Sequence, residues 1–265
     1  MKDVKIVFID LDGTLKDDNG KVDLDTIKSM NKLKDKGIQI ILTTGRSLKY
    51  TINFANMYNG GNYLITSNGA EIYNFNSKKV LYNDVISKED LEYLDSLISK
   101  YNLFFIANTI NFRYTNKKEK ELITKEAKDL KSIKEDISQV VIQSYDLDSM
   151  KLFRKDLEEN NNLKISNKTK KIIEGKHLFY DITNKTSSKG NAIKWLCNHL
   201  NISLDRTMAI GDSSNDLEMF NVCKYKIAMS NADDDLKKIA SLVTLSNNED
   251  GVKAVLDRLY TEINS

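Results

Sequence analysis

The chain has 265 residues, with 40 Lys and Arg against 38 Asp and Glu and a formal charge of only +2. That length holds one large domain or two modest ones with a buried core, and the balanced charge excludes the basic stripe of a nucleic-acid binder. No run approaches the roughly 18 apolar residues of a membrane span, and the opening "MKDVKIVFIDLDG" has too short an apolar run for a secretory leader, so a cytoplasmic protein with no nucleic-acid, membrane or obligate protein partner is expected.

In chain order, "VKIVFI" predicts a buried strand that runs straight into Asp10, Leu11, Asp12, Gly13 and Thr14. Leu24, Ile27, Met30 and Leu33 share one helical stripe that stops at Gly37, a C-terminal cap signal. "IQIIL" predicts a second strand, "SLKYTINFANMYNGG" a helix, "YLIT" a third strand, and "AEIYNF" with "KKVLY" a hairpin. The last third alternates again: the helix "SKGNAIKWLCNHL", then strands "TMAI", "YKIAM" and "LVTL" with helices between them. A closing helix carries Val252, Val255, Leu256, Leu259 and Ile263 on one face. Such alternation predicts an α/β domain, a Rossmann-like parallel sheet covered on both faces.

The middle has a different order. From about residue 83 to 186 come a helix ("SKEDLEYLDSLISKYN"), paired strands ("LFFIAN", "NFRYTN"), a charged helical stretch, and "SQVVIQSY". A helix from Leu147 to about Glu159 and short strands to "HLFYDIT" complete it. This predicts an α+β unit inserted at 83–186 into a core formed by 1–82 and 187–265. The Lys-rich run from Lys117 to Lys134 is expected to be a solvated helix face. Cys197 falls on the apolar stripe of Ile193, Leu196 and Leu200, and Cys223 has no CxxC partner, so neither is expected to bind metal or form a disulfide. His177 and His199 lack metal-ligand spacing.

Four motifs carry chemistry. Asp10 and Asp12 end the first strand. A calcium loop starting at Asp10 fails, because Leu15 and Lys21 stand where glycine and glutamate are required. "ILTTGRS" places Thr44, Gly45 and Arg46 after the second strand, an anion site in which Arg46 can fork onto phosphate or carboxylate. In "SSKGNA", Lys189 lies at a helix start, where the macrodipole disfavours a cation unless an anion sits there. "AIGDSSNDLEMF" delivers Asp212 after a strand, with Asn215 and Asp216 at the next helix start. "SNGA" adds Asn68 after the third strand. In an open α/β sheet, ligands bind beyond the carboxyl ends of the strands. All these residues follow apolar strands or start helices at that edge, and the carboxylates suit magnesium.

With D-x-D-G-T at "DLDGT", Thr in "TTGR", Lys in "SSKG" and G-D-x-x-N-D at "GDSSND", the chain resembles haloacid dehalogenase-superfamily phosphatases. "SNGA", "MSNAD" and "NNEDGV" make it similar to the Cof-type branch, which carries a large α+β cap of type C2B after the third core strand. The resemblance implies Asp10 as nucleophile and Asp12 as acid and base. It implies Thr44 and Lys189 as phosphoryl holders. It implies Mg²⁺ held by Asp10, the Asp12 carbonyl and Asp212, with Asp216 supporting the metal shell or Lys189. Gly45, Arg46, Asn68 and Asn215 stand on the substrate side, and Arg113, Tyr114, Tyr145 and Tyr180 are possible cap contacts. The implied activity is hydrolysis of small phosphorylated metabolites, sugar phosphates first. A phosphomutase on the same core and a non-catalytic phosphometabolite sensor are the alternatives. Thr43, where the branch more often has alanine, and the missing Pro or Gly before Lys189 are small departures.

Overall fold

The computed structural model describes residues 1–57, 61–117, 124–166 and 178–265. Strand β1 (Ile6–Ile9) is buried along its whole length, as a strand covered on both faces must be. Helix α1 (Leu24–Asp35) starts on Asp23, whose carboxylate accepts from the amides of Asp25 and Thr26, satisfying donors that a helix end leaves free. Then come β2 (Gln39–Thr43), α2 (Leu48–Met57) and β3 (Tyr63–Thr66). The expected hairpin is β4 (Glu71–Asn74) with β5 (Lys79–Asn83).

The second unit contains α3 (Lys88–Lys100), β6 (Phe104–Asn108), β7 (Arg113–Thr115), β8 (Thr124–Glu126), β9 (Gln139–Ser144), α4 (Leu147–Leu157), β10 (Leu163–Ile165) and β11 (Leu178–Asn184). The chain then returns through α5 (Lys189–His199), β12 (Thr207–Gly211), α6 (Leu217–Val222), β13 (Tyr225–Ala228), α7 (Asp234–Ile239), β14 (Leu242–Val243) and α8 (Gly251–Asn264).

The strands form two sheets. The first runs β14-β13-β12-β1-β2-β3-β4-β5, parallel through β3 and antiparallel in the hairpin. The order reverses between β1 and β12, so a crevice opens beyond their carboxyl ends. The second sheet runs β10-β11-β9-β6-β7-β8. Each sheet has its own apolar cluster, one around Phe8, Ile40 and Leu256, the other around Phe105, Val140 and Phe153. Both free cysteines are buried in the first cluster.

The charged helical stretch expected between Lys117 and Lys134 is not what forms among its described residues. Thr124–Glu126 is the edge strand β8, parallel to β7, and Leu130–Ser132 is a short 3-10 turn. The run's apolar residues Ala127, Leu130 and Ile133 pack on the second apolar cluster, but not from a helix. Its anchors are β7's main chain and Leu130, which is buried and whose amide donates to Asp95 of α3. Charged residues on an edge strand also discourage further strand pairing. Residues 118–123 of that run, and His177, lie outside the described residues.

The two connections between the units are tied together by Asp84. Its carboxylate accepts from Asn184 Nδ2 at 2.7 Å, Thr186 Oγ1 at 2.8 Å and Ser187 Oγ at 2.6 Å. Among the described residues no helix is long and apolar enough to cross a membrane.

Candidate active site

The carboxyl ends of four parallel strands deliver the motif residues to one place. Asp10 follows β1, Thr44 follows β2, Asn68 lies in the 3-10 turn after β3, and Asp212 follows β12. Lys189 opens α5, capped by Ser188, whose side chain accepts from the Asn191 amide.

Lys189 is the hub. Only 1% exposed, it sends its Nζ to Asp10 Oδ1 at 2.5 Å and to Asp216 Oδ1 at 2.7 Å. The other Asp216 oxygen accepts from the amides of Asp212 (3.0 Å) and Ser213 (3.1 Å). Asp216 therefore fixes both the lysine and the loop that carries Asp212. Thr14 Oγ1 donates to Asp212 Oδ1 at 2.6 Å. One oxygen each of Asp10, Asp212 and Asp216 lies within 4.8 Å of the others.

Asp10 and Asp216 share one ammonium with Asp212 close by, and their pKa values reflect the crowding. Burial pushes Asp10 well above the ordinary carboxylate range; Lys189 opposes this, while Asp216 and Asp212 add to it. Asp212 is pushed up to about 7, first by burial and then by Asp216, against its bond from Thr14. Burial works to lower the Lys189 pKa, but Asp10 and Asp216 outweigh it and the net shift is upward. With all three acids ionised the cluster carries two uncompensated negative charges. Hard oxygen donors and that excess charge fit a divalent cation of the magnesium type.

Asp12 is turned elsewhere. Its carboxylate is gripped by Arg46, Nε to Oδ2 at 2.5 Å and a terminal nitrogen to Oδ1 at 2.9 Å, with Lys16 Nζ 3.7 Å away. Arg46, expected on the substrate side, thus spends its fork on Asp12 and stacks on Tyr50, 4.8 Å from the ring centre. Asp10, Asp12, Thr44, Gly45, Arg46 and Asn215 all line one cavity of about 520 Å³. Asn68 is linked to it by hydrogen bonds from Asn215 Nδ2 (3.1 Å) and to Asp181 (3.3 Å).

A family model described as haloacid dehalogenase-like hydrolase matches residues 7–256. The chain belongs to the haloacid dehalogenase-like hydrolases. The superfamily expected from the four motifs is thereby borne out, and the protein is an enzyme of the hydrolase class. It is similar to 5-amino-6-(5-phospho-D-ribitylamino)uracil phosphatase YcsE of Bacillus subtilis, 30% identical over 94% of this chain and 93% of that one. It is similar to the phosphoglycolate phosphatase of Methanobrevibacter smithii, 26% identical over 96% of this chain and 98% of that one. In fold it is similar to a haloacid dehalogenase-like hydrolase from Bacteroides thetaiotaomicron, with a TM-score of 0.85 at 22% identity, over 97% and 99% of the two chains.

The hydrolase cavity has a second wall that the sequence did not reveal. Asn108 of β6, Gln139 and Val141 of β9, and Phe179 and Asp181 of β11 line it, together with Arg113. Of the contacts expected in residues 83–186, Arg113 therefore reaches the cavity, and Tyr114, Tyr145 and Tyr180 do not line it. Tyr180 is buried in the second core, Tyr145 is 68% exposed, and Tyr114 bonds Glu135. The tyrosine at the cavity is Tyr50 of α2.

Gly13 is where the chain leaves the site. Its φ is +83°, and a Cβ there would stand 2.5 Å from Asp212 Oδ2. Gly13→Ala meets both a left-handed backbone penalty and displacement of Asp212. The variant is expected to lose about 1–3 kcal/mol of stability and to bind a divalent cation at least about ten-fold more weakly. Urea denaturation and magnesium titration by calorimetry check the two effects. Unchanged magnesium affinity would separate Gly13 from the metal site.

Proposed function

We propose that this hydrolase is a Mg²⁺-dependent phosphatase of small phosphorylated metabolites, sugar phosphates first among them, with Asp10 as its covalent nucleophile. In this reading residues 83–186 form a cap over a core of 1–82 and 187–265. The observation that carries it is the buried Lys189 ammonium held between Asp10 and Asp216, beside Asp212 and at the edge of a cavity with room for a small metabolite. A pure binding site has no need of such a crowded, charge-frustrated acid cluster. The two named relatives act on a 5-phosphoribityl compound and on phosphoglycolate, which supports a small phosphate ester as substrate.

The residues divide the work as follows. An Asp10 oxygen attacks phosphorus, and the bond from phosphorus to the leaving oxygen breaks. Asp12, released from its pair with Arg46 and protonated from solvent, gives that proton to the leaving oxygen. Water then attacks the phosphoryl group, Asp12 takes its proton, and the bond to Asp10 breaks to give inorganic phosphate. Thr44 and Lys189 hold the phosphoryl oxygens and offset their charge. Asp10, Asp212 and the Asp12 carbonyl hold the metal, and Asp216 positions Lys189 and the Asp212 loop. When bound, Mg²⁺ screens Asp10 from its anionic target and orients the phosphate. Gly45, Arg46, Asn68 and Asn215 face the substrate side.

The test is phosphate release by chelated and Mg²⁺-restored protein over sugar phosphates, nucleotides, pyridoxal phosphate and an aryl phosphate. Release that needs Mg²⁺ is expected. Full release after chelation overturns the metal assignment, and no release from any ester overturns the phosphatase.

A further inference from the structure

We infer that Asp181 and Asn108 form a hydroxyl-recognition subsite in the second wall of the cavity, which selects phosphate esters of neutral polyols over esters with an acidic leaving group. The inference rests on the phosphatase reading above and adds to it what the leaving group must be.

Asp181 lines the cavity from β11, across from the motif loops. It is held by a relay from the core: Asn215 Nδ2 donates to Asn68 Oδ1, and Asn68 Nδ2 donates to Asp181 Oδ2. That relay sets the carboxylate's position relative to the Asp212 loop. Burial pushes its pKa up to about 6, against the Asn68 bond, which leaves it largely ionised and an acceptor above neutral pH.

Asn108 is oriented by a second relay. The Gly45 carbonyl can only accept, so Gln139 must present its Nε2, at 3.0 Å. Gln139 Oε1 is then left to accept from Asn108 Nδ2, at 2.7 Å. Asn108 is thereby fixed with its amide nitrogen on Gln139 and its carbonyl oxygen left over. That oxygen is buried, on a residue only 3% exposed, and has no hydrogen-bond partner among the described residues. A buried acceptor left unpaired costs free energy that a ligand donor recovers.

The wall thus offers two acceptors. Tyr50, Val141 and Phe179 add apolar surface to the same cavity. Acceptors set among aromatic and aliphatic faces suit a molecule that alternates hydroxyls with C–H faces. A carboxylate on the leaving group set against the β11 wall would meet the charge of Asp181. A cationic amine beside Tyr50 would meet Arg113, whose guanidinium carbon stands 5.9 Å from that ring centre. A neutral polyol meets neither penalty.

The experiment compares kcat/KM for ribitol 5-phosphate, phosphoglycolate and phenyl phosphate in the Mg²⁺-loaded protein and in the Asp181→Asn and Asn108→Ala variants. The wild type is expected to prefer ribitol 5-phosphate over phosphoglycolate. Asp181→Asn is expected to lower the ratio of ribitol phosphate to phenyl phosphate activity by roughly ten- to hundred-fold, and Asn108→Ala to lower it in the same direction. A loss shared equally by both esters, or a wild type that prefers phosphoglycolate, overturns the subsite. If the wild type hydrolyses none of the three, the phosphatase reading falls. Calorimetric binding of ribitol 5-phosphate then decides the subsite: weaker binding in Asp181→Asn supports it and equal binding overturns it.

Discussion

Asp10→Asn is expected to cut phosphate release by about 10⁴-fold or more while leaving the fold intact. The substitution is isosteric, and the amide oxygen can still accept from Lys189, which now lies 2.5 Å from Asp10 Oδ1. What goes is the proposed nucleophile and one negative charge. Burial already disfavours that charge, and Asp212 and Asp216 crowd it. Its removal relieves repulsion, so the metal-free thermal midpoint is expected to hold or rise. Magnesium affinity falls, because a ligand oxygen loses its charge. Phosphate release and thermal unfolding, each with and without Mg²⁺, check this together. Turnover near the wild-type rate would place the nucleophile elsewhere. A collapsed midpoint would make Asp10 a structural residue whose loss of activity means little.

The strand-and-helix alternation of the first and last thirds was legible because apolar runs of four or five residues ending in Asp or Thr have few other solutions than buried parallel strands. The convergence of Asp10, Thr44, Asn68 and Asp212 followed from the rule that such strands share one carboxyl edge. Two things were not legible. Arg46 was read as forking onto phosphate or carboxylate, and a carboxylate is what it meets, but which one was not legible. Its actual partner, Asp12, lies 34 residues away, and only the packing of β1 against β2 brings the two together. The far wall of the cavity was also hidden. Asn108 ends β6, Gln139 opens β9 and Asp181 lies within β11, and nothing local marks them. Their meaning depends on how the second sheet meets the first, through contacts such as Ser138 Oγ to Glu71 Oε1 at 2.6 Å. The Lys117 to Lys134 run failed for a related reason: its charge was read as a helix face, whereas pairing with β7, invisible in the local pattern, sets the backbone of Thr124–Glu126.

Lys189→Met is expected to remove activity and to destabilise the metal-free protein by about 3–5 kcal/mol at pH 8, with a much smaller loss at pH 5. The lysine is the cation that Asp10 and Asp216 share. Its own pKa is raised above the ordinary 10.5, so its charge is fully present at both pH values and is lost only as pH rises through the higher folded value. The carboxylates titrate instead. Asp212 has a folded value of about 7 against an ordinary 3.8, so between those values the folded protein holds a proton that the unfolded chain has released. Stability contributed by that proton is present at low pH and is lost as pH rises toward 7. Asp10, also raised, acts in the same direction. Without Lys189 the acids hold their protons to still higher pH, which softens the loss at pH 5 and concentrates it at pH 8. Mg²⁺ takes the opposite side of the same equilibrium, since it binds the ionised acids. The stabilisation it gives the wild type is therefore expected to grow from pH 5 to pH 8. Urea denaturation at the two pH values, with and without Mg²⁺, measures all of this. An equal loss at both pH values, or a magnesium effect independent of pH, would show that the cluster does not share its protons, its lysine and its metal in one balance.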